Sequence, residues 1–140
     1  MRKDAVTPGE ARILVVEDDP NNRLVITRLL KLTGVDPANV SECEADPLAT
    51  MRERLGDFDL IFLDLQLPRK DGYAIIAELK AEPSLADTRI VALTANVMRQ
   101  DVERAKEAGF DGFIGKPIDG RRFGDVIRRL LSGEQVWTIQ

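Results

Sequence analysis

Leu60-Ile61-Phe62-Leu63-Asp64 is a run of four apolar residues that ends in a carboxylate. A strand apolar on both faces has to be covered on both sides, the condition of an inner strand in a parallel sheet flanked by helices. The carboxyl ends of the strands in such a sheet open on one crevice, and ligands bind there. Asp64 therefore stands where chemistry is expected. Three other strand ends carry matching groups. Glu17 and Asp18 follow Ile13-Leu14-Val15-Val16, Thr94 follows Ile90-Val91-Ala92-Leu93, and Lys116 follows Phe113-Ile114-Gly115 and precedes Pro117. Three carboxylates, a hydroxyl and an ammonium then converge. That set suits a carboxylate that accepts a phosphoryl group beside a hard divalent cation.

Outward from this run, short apolar stretches alternate with longer periodic segments, the pattern of a parallel α/β sheet. Strands are expected over residues 12–16, 40–45, 59–64, 89–94 and 111–116. Asp19-Pro20 reads as an N-cap followed by proline at the first helical position. Val25, Leu29 and Leu32 recur at helical spacing, and Gly34 can end that helix. Leu48, Met51 and Leu55 give the second helix its apolar stripe. Pro68 and Asp71-Gly72 mark a loop before a third helix whose Ile75, Ile76 and Leu79 face inward. The fourth carries Val97, Val102 and Ala105 and ends near Gly109. The fifth has the cleanest stripe: Phe123, Val126, Ile127, Leu130 and Leu131. Five β-α pairs make a doubly wound α/β domain over residues 12–132, a five-stranded parallel sheet with helices on both faces. Residues 1–11 read as a flexible tail, and residues 133–140 as a short C-terminal tail.

Composition narrows the function. A chain of 140 residues fits one domain, and 44% hydrophobic residues exclude a fully disordered one. A net charge of −4 argues against generic nucleic-acid binding; the basic cluster Arg121, Arg122, Arg128 and Arg129 reads as a solvated helix face. Cys43 is the single cysteine, so no intrachain disulfide can form. The absence of an apolar leader or spanning run leads to the expectation of a cytoplasmic protein without a membrane. There is no histidine, which excludes a Ser-His-Asp triad, a histidine-ligated zinc and a phosphohistidine within the chain.

The pieces Ile13-Leu14-Val15-Val16-Glu17-Asp18-Asp19, Leu60 to Asp64, Leu67-Pro68 with Asp71-Gly72, Leu93-Thr94-Ala95 and Lys116-Pro117 come in one order, and together they resemble the receiver domain of two-component response regulators. The resemblance spans residues 12 to about 131 and implies a flavodoxin-like (βα)5 fold. It also implies roles. Asp64 is the phosphoacceptor, with Lys116 and Thr94 completing the catalytic set. Glu17, Asp18 and Asp64, with the backbone carbonyl of Gln66, hold Mg²⁺. Without a cation the acidic crevice would repel an incoming phosphate. The Lys116-Pro117 step is expected to be cis. Thr94 and Phe113 form a switch, in which the ring turns inward as the hydroxyl moves toward the phosphoryl group. Gln66 and Asn96 tune the lifetime of the acyl phosphate.

Plainer readings stand beside these. Asp64 could be a turn residue, Asp19 belongs to the helix start rather than to the metal, Thr94 could be a β-branched strand residue, and Phe113 could pack and never move. Trp137, after the last helix, either packs back on its own domain or docks on a partner.

The function expected is a phosphorylation-controlled signalling switch in a phosphorelay. It would take its phosphoryl group from a sensor histidine kinase or phosphotransfer protein and catalyse its own phosphorylation and dephosphorylation, with no external substrate. Output would pass to a downstream protein through the fourth helix, fifth strand and fifth helix, as a stand-alone monomer or homodimer. The alternative is a degenerate receiver acting as a phosphorylation-independent adaptor. A phosphohydrolase of the haloacid dehalogenase type needs a second Asp where Gln66 stands. A flavin binder needs a Ser/Thr/Gly-rich loop where Glu17-Asp18-Asp19-Pro20 stands.

Overall fold

The computed structural model describes residues 6–68, 70–95 and 98–138. In chain order the elements are β1 (Ile13–Val16), α1 (Pro20–Thr33), β2 (Val40–Cys43), α2 (Pro47–Met51) with a 3₁₀ continuation (Arg52–Asp57), β3 (Leu60–Asp64), α3 (Gly72–Lys80), β4 (Arg89–Thr94), α4 (Arg99–Ala108), β5 (Gly112–Gly115), α5 (Gly120–Leu131) and β6 (Val136–Thr138). All strands pair in parallel in the order β2-β1-β3-β4-β5-β6. The α/β flavodoxin-like architecture is therefore present, with the central order reversing between β1 and β3.

Strand alternation sorts the core into two layers. Leu14, Val16, Ile61, Leu63, Ile90, Ala92 and Phe113 face one side, under α2, α3 and α4. Ile13, Val15, Leu60, Phe62, Val91, Leu93 and Ile114 face the other, under α1 and α5. There Phe123 of α5 stacks on Phe62 with ring centroids 6.0 Å apart. The helices start where an Asp side chain takes an otherwise unpaired backbone N–H. Asp19, Asp46, Asp71 and Asp119 cap α1, α2, α3 and α5 in this way. Gly34 and Gly109 end α1 and α4 in the left-handed conformation, at φ 108° and 101°. Among the described residues no helix is long and apolar enough to cross a membrane.

Four expectations need correction. The sheet has six strands, not five, because Val136–Thr138 pairs with β5 in the register Gly112↔Val136, Phe113↔Trp137, Ile114↔Thr138. Val136 is buried in the α1/α5 layer, while Trp137 packs on the opposite layer beneath Lys106, whose Nζ lies 5.2 Å from the indole centroid. A three-residue strand carries too little periodicity to be recognised. The open choice for Trp137 resolves toward its own domain, and the exposed edge of the sheet passes from β5 to β6.

The described part of the N-terminal segment, residues 6–11, also packs on the domain instead of forming a loose tail. Val6 N–H bonds the Leu131 carbonyl at 3.1 Å, and Val6 and Ala11 are buried. Buried residues are thus found on both sides of 12–132, at Val6 and at Val136. On α1 the buried residues are Ile26 and Leu30, whereas Val25 and Leu32 are 49% and 82% exposed. Apolar residues surround this helix, so period alone cannot choose its inner face. Finally, α2 holds its helical form only to Met51 and reaches buried Leu55 through the 3₁₀ segment. Asn96 and Val97 lie outside the described residues.

Candidate functional site

The carboxyl ends of β1, β3, β4 and β5 are brought level by the register Val16↔Leu63, Asp64↔Leu93 and Thr94↔Gly115. The residues that follow each strand therefore meet. One carboxylate oxygen each of Glu17, Asp18 and Asp64 lies within 4.8 Å of the other two. Glu17 and Asp64 are buried, at 1% and 3% exposure, and Asp18 is exposed at the mouth. Lys116 reaches in from the loop after β5, and its Nζ donates to Glu17 Oε1 at 2.9 Å and to Asp64 Oδ2 at 3.1 Å. Its backbone N–H bonds the Thr94 carbonyl at 2.8 Å, and the Lys116-Pro117 peptide is cis, as expected. Gln66 N–H donates to Asp64 Oδ1 at 2.9 Å, so both acceptor oxygens of Asp64 are held.

The electrostatics follow from crowding acids in a buried place. Glu17 is raised from 4.5 to about 7, first by burial and then by the hydrogen bond it shares with Asp64; Lys116 and the Asp19 N–H pull the other way. For Lys116 burial opposes the charge. The bond to Glu17 and the charge of Asp64 outweigh it, and the ammonium is held above its usual range. The acids fit a magnesium ion. At Mg–O distances of about 2.1 Å, octahedral ligand oxygens sit ~3 Å apart when adjacent and ~4 Å when opposite, so oxygens already within the observed spacing need only a small adjustment. Hard carboxylate donors with an open mouth for water suit this ion better than a softer metal.

Thr94 is buried at the end of β4 and shares the face of Ala92, hence that of Phe113, whose register partner is Ala92. Thr94 and Phe113 are thus diagonal neighbours on the α3/α4 side, and the Phe113 ring is already fully buried. The sequence reading brought together Glu17, Asp18, Asp64, Gln66, Thr94 and Lys116, with Phe113 one layer inward. It missed two residues. Arg23, on α1, donates to the backbone carbonyls of Glu17 and Asp18; no motif signalled it. Gly72 opens α3 against β3, where an added Cβ would meet Leu65 Cα at 2.7 Å and the Asp64 carbonyl at 3.1 Å. Asp71-Gly72 stands in the sequence as a turn signal and as a piece of the receiver resemblance, and neither reading shows this close approach.

Comparison with known proteins agrees with this geometry. The model of the response regulator receiver domain matches residues 13–128. The polar-differentiation response regulator DivK of Brucella ovis is 32% identical over 121 residues, which cover 86% of this chain and 95% of DivK. Hybrid signal transduction histidine kinase L of Dictyostelium discoideum is 35% identical over 122 residues, 84% of this chain; the chain spans 7% of that kinase's length. The receiver domain of a sensor histidine kinase from Pseudomonas aeruginosa, solved with a magnesium ion coordinated in its active site cleft, superposes with a TM-score of 0.71 at 31% identity, covering 86% of this chain and 97% of that one. Receiver domains take phosphoryl groups from histidine kinases, and the pocket of Glu17, Asp18 and Asp64 is of the kind that phospho-accepting switches carry. With a family model over most of its length and a relative of similar extent, the chain belongs to the response regulator receiver domains of two-component signal transduction.

Proposed function

We propose that this chain is a phosphorylation-controlled switch whose acceptor is Asp64. A carboxylate oxygen of Asp64 attacks the phosphorus of a phosphohistidine on a sensor kinase or phosphotransfer protein. The O–P bond forms, the N–P bond breaks, and the imidazole leaves with the bonding electrons. Glu17, Asp18, Asp64 and the backbone carbonyl of Gln66 would hold Mg²⁺. Bound there, the cation neutralises charge on the phosphoryl oxygens. Lys116 would exchange its bond to Asp64 for one to a phosphoryl oxygen, and the Thr94 hydroxyl would move toward another. Phe113, on the same face, would then repack into the space released. Gln66 and Asn96 would set how readily water reaches the acyl phosphate. Output would be a protein–protein contact of a monomer or homodimer across α4, β6 and α5, since β6 now covers the edge of β5.

The observation that carries this reading is the buried Asp64 within 4.8 Å of two further acids and bonded to an ammonium. The test is intact-mass spectrometry after incubation with Mg²⁺ and acetyl phosphate. One acid-labile phosphoryl adduct, cleaved by hydroxylamine as an acyl phosphate is, is expected in the native protein, lost with EDTA and in Asp64→Asn. An undiminished adduct in that variant would remove Asp64 from its role, and no adduct in the native chain would favour the adaptor.

A further inference from the structure

Two acids of the cluster, Glu17 and Asp18, sit on a loop, and a loop alone does not hold two carboxylates in one place. Glu17 and Asp18 follow β1 directly. Glu17 N–H bonds the Cys43 carbonyl at 3.0 Å, and this extends the β1–β2 ladder by one residue. Beyond that point the chain must turn into α1. Arg23, in the first turns of α1 and with 14% of its side chain exposed, meets the loop from behind. Its Nη1 donates to the Glu17 carbonyl at 2.7 Å and to the Asp18 carbonyl at 3.2 Å. Its Nε donates to Glu42 Oε1 at 3.0 Å, and Nη2 lies 3.7 Å from Glu44 Oε1. One planar guanidinium thus ties the main chain of both acids to the edge strand β2. Lysine has neither the fork nor the plane to do this.

We propose that Arg23, braced by Glu42, is a positioning residue for the metal-binding acids. It fixes the Glu17 and Asp18 peptides so that their carbonyls point back and their carboxylates lie across from Asp64. This rests on the reading of the acidic cluster as the magnesium site. The opposite effect is also conceivable on charge alone. Arg23 is a cation close to a cation site, and removing a like charge should tighten binding. The two effects have opposite signs, so the sign of the change decides between them.

The experiment is a Mg²⁺ titration of the unphosphorylated full chain, followed by the amide NMR shifts of residues 17–19 and 64. Thermal melts in EDTA run beside it. Arg23→Ala should weaken Mg²⁺ binding about tenfold, the lower end of what supporting partners of metal ligands contribute. Arg23→Lys and Glu42→Gln should each weaken it less, Glu42→Gln because Glu44 still faces the guanidinium. Arg28→Ala, on the same helix, removes one cation as a charge control and should leave binding within about twofold. Equal or tighter Mg²⁺ binding in Arg23→Ala would overturn the proposal. Should that variant fail to fold, unchanged affinity in both Arg23→Lys and Glu42→Gln would overturn it equally. A native chain that shows no Mg²⁺-dependent shifts would overturn the metal-site reading itself, and this inference with it.

Discussion

Glu17 is a titratable residue almost wholly removed from water, at 1% exposure. Its folded-state value of about 7 lies above the 4.5 of an ordinary glutamate, because it is buried beside Asp64. The folded protein therefore binds this proton more tightly than the unfolded chain does. The stability so gained is complete below pH 4.5 and is lost as pH rises through about 7. Magnesium acts in the other direction, since it competes with the proton for the same carboxylate. In EDTA, thermal melts should fall in midpoint between pH 5 and 8, and Glu17→Gln should flatten that slope. Added Mg²⁺ should raise the midpoint of the native protein more at pH 8 than at pH 5.5. An equal slope in Glu17→Gln would assign the pH dependence elsewhere. Glu17 was legible in the sequence as an acid at a strand end. Its protonation was not, because that depends first on burial and then on the approach of Asp64, which is 47 positions away. Arg23 was invisible for a similar reason: it acts on backbone carbonyls, which leave no mark in residue types.

At the scale of elements, the join between β3 and α3 controls where Asp64 sits. Asp71 caps α3 through the Tyr73 N–H, Gln66 and Asp71 form an antiparallel bridge, and Gly72 N–H bonds the Leu65 carbonyl at 3.3 Å. The helix can start this close only because residue 72 has no side chain. Gly72→Ala should place a methyl carbon into Leu65 and force α3 off the strand end, at about 1–3 kcal/mol by the usual cost of overpacking. Denaturant melts measure the loss. The same variant should accept phosphate more slowly, because the Asp64 carbonyl is one of the atoms displaced. A variant with native stability would mean that the loop absorbs the methyl. Elements with one apolar face, such as α5, were readable by period because only one rotation buries their stripe. The α1 helix, with Leu24, Val25, Ile26, Leu29, Leu30 and Leu32, permits several rotations, and tertiary contact with α5 chose the one that buries Ile26 and Leu30. The Asp-Pro pairs at residues 36–37 and 46–47 repeat the cap read at residues 19–20, and each starts a helical turn in the same way.

For the whole molecule, the parallel α/β class followed from the alternation of elements, while the strand order rests on which strands pair in space, β2-β1-β3-β4-β5-β6. The two ends of the chain did not follow, because their anchoring depends on partners far away in sequence: Val6 on Leu131, and Trp137 on Phe113. The added strand also determines how such molecules behave toward one another in a crowded solution. A sheet edge with free N–H and C=O groups is a template for the edge of another sheet, and a short edge is a poorer template than a longer one. Here the terminal strand on that side has only three residues, and it shields Gly112, Phe113 and Ile114 of its neighbour. Removing residues 134–140 should uncover that longer, apolar edge. Light scattering should then show concentration-dependent aggregation of the shortened chain at concentrations where the full chain keeps its size. If both forms scatter alike, the sixth strand is not what keeps these sheets from joining edge to edge.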